Sequence, residues 1–135
     1  MPKKCEPGTG QTASVLTERG AVVVNLFDSA GVPAPGGEHV DILLRSGDVT
    51  VERIVSSGHA SPPGSWYDQD WDEWVAVVQG RGVLSFDDGT LTSLAEGESA
   101  FLPAHKRHRV QSTSADPPCI WLAVHIGRPR QDSIS

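Results

Sequence analysis

A chain of 135 residues with 38% hydrophobic and 21% charged side chains can bury one independent core and is too short for two ordinary domains. Its formal net charge of −6 argues against an extended phosphate-binding surface, since the only basic cluster is Lys106-Arg107 with Arg109. No apolar run approaches the ~18 residues of a membrane helix, and none follows the first charged residues. A cytoplasmic protein without nucleic-acid or membrane partners is therefore expected.

In chain order, residues 1–19 are polar and lack a sustained hydrophobic period, and they read as a flexible N-terminal arm. Short β-branched runs follow at 21–27, 40–44, 49–55, 74–78, 83–86, 100–102 and 120–126, each the length of a strand. The connection at 28–38 contains Gly31, Pro33, Pro35, Gly36 and Gly37, which excludes a regular helix. Asp87-Asp88-Gly89 separates 83–86 from 90–94 as a hairpin turn would, and 95–98 reads as a second turn. Residues 128–135 form a polar, flexible C-terminal tail, which leaves a single domain at 20–127. Many short strands with frequent turns suit a closed or nearly closed antiparallel barrel, which avoids bare sheet edges. Cys5 and Cys119 lie far apart, and Cys119 enters an apolar strand, where it reads as a small buried hydrophobe.

The chemistry-bearing residues gather in two stretches. In the strand at 74–78, alternation puts Glu73, Val75 and Val77 on one face and Trp74, Ala76 and Val78 on the other. A carboxylate followed by small apolar groups suits a reactive site in a dry cavity, although a strand-entrance Glu paired with Lys or Arg has the same pattern. Just upstream, Trp66, Tyr67, Trp71 and Trp74 alternate with Asp68, Asp70 and Asp72. They could wall an aromatic mouth for an organic ligand, fill gaps between strands or cover a dimer interface. The second stretch is Gly97-x5-Pro103-x4-His108.

Glu73 with Gly80, followed by Gly97, Pro103 and His108, resembles the two motifs of the cupins. In that family the first motif reads Gly-x5-His-x-His-x(3,4)-Glu-x6-Gly and the second Gly-x5-Pro-x-Gly-x2-His-x3-Asn; the Glu and three His hold one metal ion. Segments 52–56, 66–69 with 73–75, 103–105 with 107–110, and 120–125 also resemble a group of small bacterial single-domain cupins, over roughly residues 21 to 127. The resemblance implies an all-β fold, a cupin-type antiparallel barrel or jelly roll, also described as a double-stranded β-helix.

The departures from the pattern shape the functional expectation. Both histidines of the first motif are missing: their places fall on Tyr67 and Gln69, or on Trp66 and Asp68, depending on register. His105 stands where the second motif has Gly, which implies a somewhat different turn, and Ser112 replaces its Asn. Candidate metal ligands are Glu73, His108, Gln69, Asp68 and His105; candidate substrate-binding residues are Tyr67, Trp66, His59 and His125. The resemblance thus implies a divalent ion such as Zn, Fe, Mn or Ni, and a metal-dependent enzyme of dioxygenase, isomerase or lyase type acting on a small polar organic substrate. The alternative is a metal-free cupin that binds or senses a small molecule without catalysis. Apolar strands on the N-terminal side suit a homodimer.

Overall fold

The computed structural model describes residues 14–16, 21–28 and 31–127. The expected tail at 128–135 and most of the expected arm at 1–19 lie outside the described residues. Within that arm, β1 (Ser14–Leu16) pairs antiparallel with β2 (Val22–Val24). The remaining elements are β3 (Glu38–Ser46), β4 (Val49–Ser56), β5 (Asp72–Gln79), β6 (Arg81–Phe86), β7 (Leu91–Ala95), β8 (Ser99–Leu102), β9 (His108–Thr113) and β10 (Cys119–Ile126). No helix occurs among the described residues, so none is long and apolar enough to cross a membrane.

A five-stranded sheet in the order β3-β4-β10-β5-β8 faces a three-stranded sheet in the order β7-β6-β9, with every pairing antiparallel. This is the expected all-β jelly roll. The core lies between the layers, where Val75, Val77, Leu102, Cys119, Trp121 and Ala123 of the larger sheet meet Leu84, Phe86 and Leu94 of the smaller. Strand alternation generates this arrangement. On β5, Glu73, Val75 and Val77 are buried while Trp74 is exposed, and on β10 the buried Cys119, Trp121, Ala123 and His125 follow the same period of two. Burial pushes the Cys119 thiol up to about 12, so this residue is packing material and not a nucleophile.

The turns behave as their residues require. Gly89 closes the β6–β7 hairpin at φ 92°, and Gly80 turns β5 into β6 at φ 79°. Gly82 matters for packing instead, because a Cβ there would overlap the Trp121 ring; glycine lets that indole approach β6 closely.

The connection expected at 28–38 is irregular, as its Gly and Pro content demands, and it is tied to the larger sheet. Gly36 and Gly37 exchange backbone hydrogen bonds with Ser57. Arg53, fully buried on the outward face of β4, donates to the Asp28 carbonyl and stands 3.5 Å from Asp41. A buried guanidinium needs such partners.

Candidate functional site

One end of the barrel holds a cavity of about 490 Å³. Its walls come from β4 (Glu52, Ile54), β5 (Glu73, Val75), β9 (His108, Val110), β10 (Trp121, His125) and the 66–71 approach. That approach is anchored to β9, because Tyr67 and His108 exchange backbone hydrogen bonds of 2.8 and 3.1 Å. The backbone N–H of His105 donates to the Gln69 carbonyl at 2.6 Å. The two sequence stretches are therefore stitched together across the mouth, and their side chains converge below it.

His108 and Glu73 form one pair. Both are buried, at 6% and 9% exposure, with Nε2 of the imidazole 3.9 Å from Oε1 of the carboxylate. Nδ1 of His108 lies 2.8 Å from the Lys106 carbonyl, which can only accept, so Nδ1 carries the hydrogen and Nε2 keeps its lone pair toward the cavity. Gln69 donates its amide N–H to Glu73 Oε1 at 2.9 Å. Burial holds the Glu73 carboxyl above the usual carboxylate range; His125 and His108 pull it down, Glu52 pushes it up, and the Gln69 hydrogen bond pulls it down.

His125 and Glu52 form a second pair on adjacent strands. The Trp71 indole N–H, which can only donate, reaches His125 Nδ1 at 2.9 Å. The hydrogen of the imidazole therefore sits on Nε2, where it donates to Glu52 Oε1 at 3.0 Å. Both nitrogens of this ring are committed. Glu52 lies outside the two spaced motifs, and its partner is 73 residues away, so only the pairing of β4 with β10 brings them together.

The structure sorts the sequence candidates. Glu73, His108, Gln69 and His125 meet inside, while Tyr67 and Trp66 line the mouth. Asp68 reaches the rim, but its side chain is 50% exposed and accepts from His105, which is 66% exposed, at 3.0 Å. These two form a surface pair and do not reach the Glu73–His108 position. His105 also corrects the expectation of a changed turn: it adopts φ 66°, the left-handed conformation a glycine would take. His59 is not part of the lining; it sits behind Glu38, with Nε2 3.6 Å from that carboxylate. Trp74 is on the outer face of β5 opposite Phe101, which removes it from the aromatic mouth.

The model for the cupin domain matches residues 51–125. The chain belongs to the cupin family. A solved structure from Ralstonia eutropha JMP134, bearing the provisional name mannose-6-phosphate isomerase, is 43% identical over 76% of this cupin and 94% of its own chain, with a TM-score of 0.70. KdgF from a Halomonas species is 20% identical over 75% of this chain and 88% of its own, with a TM-score of 0.59. A cupin superfamily protein from Desulfitobacterium hafniense DCB-2 is 19% identical over 70% and 81%, also with a TM-score of 0.59. These last two show the fold alone. No curated protein matches the chain.

The donor set of this cupin does not fit the metal that the family commonly holds. Where a metal-binding member presents imidazole lone pairs, Gln69 turns amide hydrogens toward Glu73. The lone pair of His125 is taken by Trp71. What remains beside the lining carboxylates is a single imidazole nitrogen, and among the described residues no three His, Cys, Asp or Glu side chains form a group that could hold a metal ion.

Proposed function

We propose that this cupin binds a small polar organic molecule in the barrel and transfers protons on it through His108 and Glu73, in isomerase- or lyase-type chemistry that needs no resident metal. One observation carries the reading: a buried imidazole with its lone pair aimed into a roomy cavity, 3.9 Å from a buried carboxylate. That separation is too long for a direct hydrogen bond, and a ligand atom between the two groups could contact both. Nε2 of His108 takes a proton from ligand carbon or oxygen. Glu73, whose burial favours its protonated form, returns one to a neighbouring atom. Gln69 keeps the carboxyl oriented, and Tyr67 at the mouth borders the ligand.

The provisional name of the Ralstonia relative speaks for isomerisation, which moves a proton between neighbouring carbons. It does not transfer whole, because no Lys or Arg of the described residues lines the cavity to receive a phosphate. A homodimer is part of the same proposal, supported by exposed Val22, Val23 and Phe27 near β2 and by Val40, Ile42 and Leu44 on the edge strand β3.

Hydrogen exchange tests the chemistry. The protein is incubated in heavy water with a panel of hydroxy and amino carbonyl compounds, with and without chelator, and carbon-bound deuterium is read by mass spectrometry. Exchange that survives chelation and falls at least about a hundredfold in His108→Ala is expected. Exchange that requires added metal, or that persists in the variant, would contradict the reading. Saturable binding without exchange by any compound would leave the noncatalytic pocket.

A further inference from the structure

The lining of the cavity changes character with depth. The 66–71 approach runs into β5 at Asp72 and pairs with the start of β9 through Tyr67 and His108, which marks that end of the barrel as the mouth. Two residues further in, the chemistry switches on three strands at once: Glu73 gives way to Val75 on β5, His108 to Val110 on β9 and Glu52 to Ile54 on β4. Side chains two apart on a strand share a face and stand about 7 Å from each other, so ionisable groups and hydrocarbon form successive levels of the wall.

Other strands complete the inner level with carbon. Leu84 of β6 is the register partner of Val110 and lines the cavity beside it. On β10, Trp121 lies further in than His125, and its indole N–H is committed to Ser56 Oγ at 3.2 Å, so the ring is what it offers the cavity. On the β3 side the border is Val40, the register partner of Ile54, while the Glu38 carboxylate lies at the exposed edge, 3.6 Å from His59 Nε2.

The His108–Glu73 pair uses only the outer level of a cavity of about 490 Å³. A ligand bearing hydroxyls along its whole length would press some of them against Val75, Leu84 and Val110, where they lose water without gaining a partner. A hydrocarbon group gains from leaving water at the same place.

We infer that the ligand of this pocket is amphiphilic, with a hydroxy-carbonyl head at His108 and Glu73 and a short hydrocarbon tail lying on Val75, Leu84 and Val110. This inference rests on the reading of the cavity as a proton-transfer site and adds the substrate class to it. It also separates this cupin from the sugar phosphate in the provisional name of the Ralstonia relative, since a sugar phosphate is polar from end to end.

Titrations of the full-length protein followed by amide NMR shifts test it with three uncharged probes: 1-hydroxy-2-butanone, its more hydroxylated four-carbon analogue erythrulose, and 1-hydroxy-2-hexanone, which is longer by two methylenes. Full burial of a methylene corresponds to about fourfold in affinity. The hexanone is therefore expected to bind at least about fivefold more tightly than the butanone, and erythrulose at least about tenfold more weakly than the butanone. Val110→Phe fills the inner level and should bring the hexanone-to-butanone ratio close to one. If that variant does not fold, Val110→Thr keeps the shape, places a hydroxyl beside the tail and should cut the ratio at least about threefold. Trp74→Ala on the outer face should leave the ratio intact. Erythrulose binding as tightly as the butanone, a hexanone that gains nothing or does not bind, or an unchanged ratio in the folded Val110 variant would overturn the inference. His108→Ala separates the two proposals, because it should abolish hydrogen exchange and keep the tail preference. Exchange by wild type without a tail preference would leave the proton-transfer reading standing and sink this one, whereas a tail preference without exchange would do the reverse.

Discussion

The cavity contains two carboxylate–imidazole pairs built from the same residue types and differing in completeness. In His125–Glu52 the two side chains are in hydrogen-bond contact at 3.0 Å, and Trp71 occupies the remaining ring nitrogen. In His108–Glu73 the separation is 3.9 Å, and the backbone carbonyl of Lys106 holds the outer nitrogen, leaving the inner one for the cavity. A buried polar group whose bonds are all made contributes to a fixed wall, while one with a lone pair aimed at open space is available for chemistry. The difference lies in what each ring is bonded to, and neither residue type nor burial would reveal it.

The largest expected consequence concerns stability. His125→Ala leaves the Trp71 N–H and the Glu52 carboxylate without the imidazole that joins them, and should cost about 3 kcal/mol. His108→Ala loses one bond to a backbone carbonyl at the edge of the cavity and should cost about 1 kcal/mol. Urea denaturation of both variants checks the ordering. Equal losses would erase the distinction between the two pairs.

A smaller effect concerns Glu73 and has a definite sign. Its folded pKa is raised, chiefly by burial, so folding favours the protonated form. The stability this provides is fully present below the unfolded-state pKa of an ordinary Glu and is lost as pH rises through the higher folded value. Glu73→Gln keeps an acceptor for Gln69 and cannot ionise. It should therefore gain stability over wild type as pH rises from acid toward neutral, a difference visible in thermal unfolding across that range. A variant that becomes relatively less stable as pH rises would mean that the carboxylate is held by a cation, and the pair would not be open.

Much of the framework is legible in the sequence because it depends on local chemistry. Alternation on β5 places Glu73 inward and Trp74 on the opposite face, and the structure keeps that division. Grouping Trp74 with the aromatic mouth because it is close in sequence disregards this same alternation. Asp87-Asp88-Gly89 marks the β6–β7 hairpin, and the apolar run of β10 puts His125 beside Trp121 and Ala123. β9 escapes a reading by hydrophobic runs because His108-Arg109-Val110-Gln111-Ser112-Thr113 offers one aliphatic residue and no hydrophobic alternation.

The site is less legible, since its decisive contacts are long-range. Glu52 sits in an ordinary strand pattern and acquires meaning only from His125 across the sheet. Gly82 looks like any turn residue in the sequence, yet it is the indole of Trp121 that requires it. The side chain of His105 suggests a ligand, whereas its backbone takes the glycine's place at φ 66° and its ring belongs to the surface pair with Asp68.

The most direct test of the contrast between the pairs is nitrogen NMR of the imidazole rings, with His108→Gln and His125→Gln used to assign them. Opposite neutral tautomers are expected: His108 with its hydrogen on Nδ1 and an unprotonated Nε2, His125 with its hydrogen on Nε2 and an unprotonated Nδ1. The same tautomer in both rings, or a His108 whose Nε2 carries the hydrogen, would contradict the assignment of one closed and one open pair.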